Sequence, residues 1–552
     1  MKRCLVLAVL IVLLTTLAYG DAYGQEYDAD LVKLSFFPEN SMPTPGELSG
    51  GVAKLFAEVG VEIEVLPYST TKLKSMLASG DLSDILWLSE QDLTTAMEAG
   101  YLLDLTPYLD DMPNLQAHID LFEPSLEFAQ QYHSGGSGNV YYLAPVGDPP
   151  VVVAADTDRH AIKMNWALYA QSGYPAFSTL EESVEVFKKM QQDTPCAKDG
   201  TPTYALHLFP DYDTEYFYNI YSVYAVLGKS CDYLPYGIEW DYRTHEGMSI
   251  FSEGSTYYRG LKYFYMMNQA GLVDPDSLVQ TRAMAKAKVD AGEALAGWAA
   301  IPAFEALSGH YPVLFDEFVP SYQTVTPYGK SGYCISADCR DPEAAVRFLD
   351  MLASDEVVMM LRNGPQGYIW DVDENGMAYL TDPAQLLKDS LALNDVIDAE
   401  GDSWAYANFP IYYLLNQGYV TKYGVPYIWA NWPDMYDTLY SSELGRDWTE
   451  HYGYPYLKEL LEGENWEQAI ETDGYSAFLS ADTDQMKQAK AALKDVIVLG
   501  SWQMVFAESE DEFNSIWRDM KAKCEQLGIE KVIRCKLEDI ANAIQIYDSL
   551  TE

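Results

Sequence analysis

Hydrophobic positions along the first hundred residues change period several times. Val32–Phe37 is a short apolar run, and Val61–Leu66 alternates apolar and polar residues with a period of two, so both predict strands. Between Lys72 and Ala78 the apolar residues Leu73, Met76 and Leu77 fall on one face of a helix. Gly80 stands where a helix ends in the left-handed conformation. Asp84–Leu88 predicts a short buried strand, followed by a helix with Leu93, Ala96 and Met97 on its apolar side and a stop at Gly100. Strands alternating with helices in this way predict an α/β fold.

The pattern continues more loosely downstream. Asn139–Val146 and Val151–Ala155 read as strands, with the glycine-containing loop Ser134–Asn139 before them. That loop has neither the spacing nor the acidic partner of a dinucleotide fingerprint. Ser178 and Glu181 are spaced as a capping box, ahead of a buried face formed by Leu180, Val184 and Phe187. Gly332–Asp338 reads as a strand, and Asp341 with Pro342 opens a helix whose core side is Ala345, Phe348, Leu349 and Leu352.

Several of these blocks resemble, in sequence and in order, the extracellular solute-binding proteins of ABC sugar importers. They are LASGDLSDI with EAGYLLDLTPYL, then YYRGLKYFYMMNQAGLVD at 257–274, KAKVDAGEALAG at 286–297, DPEAAVRFLDMLASDE at 341–356, and DEFNSIWRDMKAKCEQLGIE at 511–530. The last block is similar to the large oligosaccharide-binding branch. The resemblance implies a two-lobed periplasmic-binding-protein-like fold of type II with a large, helix-rich second lobe. It implies a signal peptide over 1–24, lobe 1 over 25–150 and 323–355, and lobe 2 over 151–322 and 356–552, with the first crossing near Pro149–Val153. The implied function is capture of an oligosaccharide between the lobes and its delivery to permease subunits, without catalysis and by a monomer. A secreted glycoside hydrolase, or a binding protein of the same fold for a peptide or other non-sugar ligand, stays open.

The first residues agree with export. Lys2 and Arg3 precede the apolar run Leu5–Leu17, and small residues follow at Ala18, Gly20, Ala22 and Gly24. The run is too short to span a bilayer comfortably. The location expected is the cell surface or the extracellular space. Relatives in Gram-positive bacteria carry a cysteine just after such a run for lipid attachment, whereas Cys4 lies before it. A length of 552 residues predicts more than one core. A formal charge of −48 disfavours nucleic acid as a partner. Six cysteines beyond the leader permit three disulfides, with Cys196–Cys231 as a first pairing.

Candidate chemistry reduces to sugar recognition. Asp371–Asp382 places oxygen-bearing residues as a calcium loop would, yet Asn375-Gly376 between extended segments predicts a hairpin instead, and no cofactor is expected. His245-Glu246 lacks the second histidine of a zinc protease, and with 83 acidic residues a carboxylate pair has no diagnostic value. Aromatic residues make up 13% of the chain, and a ring face stacks on the C–H face of a sugar while carboxylates and amides bond its hydroxyls. Position after a strand or near a lobe crossing selects Trp87, Trp298 and Trp370, with Tyr212 and Tyr216 in the run Asp211–Tyr218. Trp404, Tyr406, Trp429 and Trp432 form a further aromatic group. The polar partners expected are Glu39, Asn40, Glu90, Gln91, Asp148 and Asp213.

Overall fold

The computed structural model describes residues 31–40, 44–146, 160–197, 200–242, 244–300, 309–322, 328–388, 414–415, 419–429, 432–463, 469–470 and 474–551. The chain divides into two compact units. Unit 1 holds residues 1–151 and 325–432, and unit 2 holds 152–324 and 433–552. The lobe division implied by the resemblance differs at its third crossing, because residues 356–432 group with unit 1. The reason is local packing. The amide of Leu414 donates to the carbonyl of Leu352 at 3.2 Å, and its own carbonyl accepts from the amide of Val146 at 2.8 Å, so the segment is bonded to the rest of unit 1.

Unit 1 is built on β1 (Val32–Phe37), β2 (Gly46–Glu47), α1 (Gly50–Ala57), β3 (Val61–Val65), α2 (Thr70–Ser79), β4 (Ile85–Ser89) and α3 (Glu90–Glu98). With strand Ser331–Ile335 these form a five-stranded sheet, in the order 331–335, β4, β1, β3, β2. β1 runs parallel to both β3 and β4, in the registers Val32↔Val61 and Phe36↔Ile85. Strand Ser331–Ile335 closes the edge antiparallel to β4, with Ser331 opposite Ser89.

α2 shows how the sequence sets this frame. Ser69 caps it by accepting from the amide of Lys72, and Leu73, Met76 and Leu77 are its buried residues. Each such burial contributes about 1.5–3 kcal/mol. Gly80, at φ 75°, ends the helix, and its amide donates to Met76. A Cβ there would be strained by the dihedral and would meet the Tyr101 ring at 2.9 Å.

The segment Asn139–Val146 does not form the expected strand. It crosses strand Ser331–Ile335 through a single bridge, in which Leu143 and Tyr333 exchange both backbone hydrogen bonds at 3.0 Å. Gly332 permits that approach, because a Cβ there would lie 2.3 Å from the carbonyl oxygen of Leu143. Val146 then bridges to Leu415 instead of continuing a ladder. Val151–Ala155 lies outside the described residues.

Unit 2 is mostly helical around a small antiparallel sheet, in which Ile162–Asn165 lies between Ala296–Gly297 and His310–Val313. Helix Thr256–Gln269 starts at Ser255, whose hydroxyl accepts from Tyr258. The buried carboxylate of Glu239 takes the amides of Thr256 (3.0 Å) and Tyr257 (2.7 Å) together with the Tyr224 hydroxyl. A helix amino terminus favours such an anion. The chain ends in three long helices, Asp484–Val505, Glu510–Gln526 and Ile529–Thr551.

Two local expectations shift. The capping box moves by one residue: Thr179 Oγ1 accepts from Glu182, and the Glu182 carboxylate accepts from Ser178. Glu181 is instead drawn to Arg259, which bonds it through Nε and Nη2 at 2.7 and 2.6 Å. The cysteines are the second shift. None of the six, Cys196 and Cys231 included, is in a disulfide, and Cys334, Cys339 and Cys524 are buried. The expected hairpin does form: Trp370–Val372 pairs with Ala378–Leu380, and the Asp373 carboxylate accepts from the amides of Asn375 and Met377.

Candidate functional site

In unit 1 the candidate site is the carboxyl edge of the parallel strands. Since β1 and β4 are adjacent and parallel, the residues after Phe37 and after Ser89 emerge side by side. Open α/β sheets bind ligands at such edges. Glu39 and Asn40 follow β1 and are half-buried, while Glu90 and Gln91 open α3 directly after β4. Tyr68, after β3, adds a half-buried ring 5.7 Å from that of Phe37. One oxygen of Glu39, Oε2, is buried and has no hydrogen-bond partner among the described residues. A buried acceptor in this state is costly unless something else supplies a donor. Asp148 lies outside the described residues.

The tryptophans selected from sequence are buried. Trp87 is 6% exposed within β4, edge-on to Tyr333 at 5.0 Å. Trp370 is 1% exposed, its indole N–H given to the carbonyl of Gly364. Trp298, in unit 2, is 4% exposed; it donates to the carbonyl of Ala205 and packs near Phe187 and Tyr263. All three rings are core: Trp87 lies in an inner strand of the five-stranded sheet, whose faces are covered, and Trp298 and Trp370 give their N–H groups to backbone carbonyls in the packed interior. Trp432 is likewise buried, with its N–H on Pro426. Trp404 and Tyr406 lie outside the described residues.

The acidic and aromatic run in unit 2 divides by role. Asp213 clips the loop shut: Oδ1 accepts from the amide of Tyr218 at 2.9 Å and Oδ2 from the Trp502 indole at 2.6 Å. Burial pushes its pKa up, and those two donors only partly oppose this. Tyr216 packs against the core, and burial raises its hydroxyl far above the ordinary range. Tyr212 is 45% exposed and begins a string of rings, with centroids 5.5 Å to Tyr218, 6.0 Å on to Tyr221 and 6.0 Å to His160. The Tyr221 hydroxyl and His160 Nε2 are 3.0 Å apart. The guanidinium of Arg282 stands 5.2 Å from the Tyr212 ring centroid.

Of the residues expected to act together, Glu39, Asn40, Glu90 and Gln91 therefore share one sheet edge, and Tyr212 belongs to the exposed string of unit 2. Tyr68, Tyr218, Tyr221, His160 and Arg282 were not among the expected residues. Tyr218 and Tyr221 could have been found from their spacing of three on a helical turn next to Tyr212. His160 and Arg282 are distant in sequence and carry no such signal.

The profile of the bacterial extracellular solute-binding protein family matches residues 44–359, more than half of the chain, and the chain belongs to that family. Among solved structures, it is similar to an HMO-binding, ABC-transporter-associated solute-binding protein from Bifidobacterium longum infantis. The identity is 15% and the TM-score 0.60, covering 93% of this chain and 99% of that one. It is also similar to the Streptococcus pneumoniae ABC-transporter substrate-binding protein FusA in complex with kestose, at 14% identity and TM-score 0.55, covering 92% and 99%. A third is the alginate-binding protein AlgQ2 without calcium ion, at 14% identity and TM-score 0.55, covering 93% and 98%. At these identities the likeness is one of fold. A sequence search of curated proteins finds no match.

Proposed function

We propose that this protein is the substrate-binding component of an ABC importer, which captures an oligosaccharide outside the cell and hands it to permease subunits. Family membership supports solute binding, and the named structural neighbours support a sugar as the solute. The observation that carries the reading is the buried oxygen of Glu39, unpartnered among the described residues, at the carboxyl edge of the unit 1 sheet. A sugar hydroxyl supplies the donor this oxygen lacks, and Asn40 beside it can both donate and accept. The exposed ring of Tyr212 gives a pyranose face a plane to stack on. The chain binds and releases without chemistry, and an amino-terminal signal exports it.

Isothermal titration against a panel of oligosaccharides tests this. Saturable binding is expected, with Glu39→Ala weakening it by about 1.5–3 kcal/mol, the worth of a hydrogen bond to a charged acceptor. Absence of binding to every oligosaccharide, or release of new reducing ends during incubation, would overturn the reading. The second outcome would favour a glycoside hydrolase.

A further inference from the structure

Charge pairing dominates unit 2. Lys288 reaches both Asp274 and Asp276, Lys286 pairs with Asp290, and Arg259 bridges Glu181 and Glu317. Arg282 departs from this pattern, although the chain carries 83 acidic residues against 35 lysines and arginines. It opens helix Arg282–Asp290, and its backbone amide donates to Asp211 at 2.8 Å. Its Nε donates to the carbonyl of Ala300 at 3.0 Å, and its guanidinium lies 5.2 Å from the Tyr212 ring centroid. Both terminal nitrogens, Nη1 and Nη2, are without a hydrogen bond or ion pair among the described residues.

A guanidinium tethered through Nε and braced by a ring is a fixed fork for a planar carboxylate. The ring beside it is also the most exposed of the aromatic string. In a hexuronic acid the carboxylate is bonded to C5, one bond outside the pyranose ring. A uronate stacked on Tyr212 thus carries its carboxylate at the rim of the stack, on the scale of the 5.2 Å between ring and guanidinium. We propose that Arg282 and Tyr212 form a subsite for an acidic sugar, so that the cargo is a uronate-containing oligosaccharide. This rests on the reading of the chain as an oligosaccharide receptor. The overall charge of −48 does not oppose it at short range, because physiological salt screens exposed charges beyond about 8 Å.

The test compares each uronate oligomer with its own carboxyl-reduced form, in which every carboxylate has become a neutral CH2OH. Trigalacturonate, trimannuronate and a hyaluronan tetrasaccharide are titrated calorimetrically, alongside neutral trisaccharides, into the full chain and into Arg282→Gln, Arg282→Lys and Tyr212→Ala. At least one uronate is expected to bind about tenfold or more tighter than its reduced form, as charge-assisted paired hydrogen bonds imply. Arg282→Gln should remove that preference while leaving the reduced form within about twofold, and Arg282→Lys should restore only part of it, since an ammonium lacks the fork. Tyr212→Ala should weaken both forms. Equal affinity for uronate and reduced sugar, or equal loss of both in a folded Arg282→Gln, would overturn the subsite. Neutral trisaccharides bound without any uronate preference would leave the receptor reading standing and remove only this proposal. Failure of every sugar would remove both.

Discussion

Asp84 is the point where the frame of unit 1 can be tested most sharply. Its side chain is 6% exposed at the amino end of β4, and Oδ2 accepts from the amide (2.8 Å) and hydroxyl (2.7 Å) of Ser35 in β1. Oδ1 accepts from the amide and Nε of Arg340, in the turn after strand Ser331–Ile335. One carboxylate thus ties the central strand, β4 and the edge strand's exit. In Asp84→Ala the Ser35 donors lose their acceptor in a buried place, at about 1–3 kcal/mol. Arg340 is 56% exposed, so water replaces most of its share. The sum is about 3 kcal/mol, which is about 6–12 °C in the melting of a unit of this size.

Burial alone would raise the Asp84 pKa, but the Ser35 and Arg340 donors more than reverse this, so it lies below the ordinary 3.8. A depressed folded-state pKa means the stabilisation is complete above the unfolded-state value and disappears as pH falls through the folded one. The gap between wild type and Asp84→Asn should therefore be constant from pH 5 to 8 and shrink below about pH 4. Urea titration, read by hydrogen exchange of peptides covering β1 and β4, measures both. A cost under about 0.5 kcal/mol for Asp84→Ala, the range of an ordinary surface change, would refute the reasoning. So would a gap that does not change on acidification.

Other outcomes follow from the same packing. Trp298→Ala should lower the stability of unit 2 by about 3–5 kcal/mol, whereas Trp298→Phe should leave sugar affinity intact; calorimetric melting and titration separate a core role from a ligand role. Glu239→Ala should cost at least about 3 kcal/mol, because it strips the buried acceptor from the helix start at Thr256, as a chemical-denaturation curve would register. Tyr212→Ala should change stability by less than about 0.5 kcal/mol, so any loss of binding in that variant belongs to the ligand. Dithiothreitol should not shift the melting temperature, and a thiol reagent on the native protein should label exposed Cys196 before buried Cys334, Cys339 and Cys524.

What could be read from the sequence was what local pattern determines. The strand at Val61, the face Leu73–Met76–Leu77 and the left-handed Gly80 depend on period and on backbone sterics within a few residues, and each stands where it was expected. Asn375-Gly376 fixed its hairpin for the same reason. The carboxyl edge was also legible, because strand order in an α/β series carries Glu39 and Glu90 to one side. Exposure was not. Trp87, Trp298 and Trp370 follow or occupy strands as a ligand plane might, and only the layers packed over them determine that they are core. The register of a cap was lost for a similar reason, since Glu181 is claimed by Arg259, distant in sequence. Arg282 carries no local signal at all. Its significance lies in the Tyr212 ring and the Ala300 carbonyl that happen to meet it.

Hydrogen exchange of the full chain with and without a saturating oligosaccharide tests the central claim most directly. Slowed exchange is expected in peptides spanning 37–40, 66–69 and 89–92, the ends of β1, β3 and β4, and this protection should disappear in Glu39→Ala at the same sugar concentration. A sugar that binds saturably yet leaves those three strand ends unchanged would contradict the account.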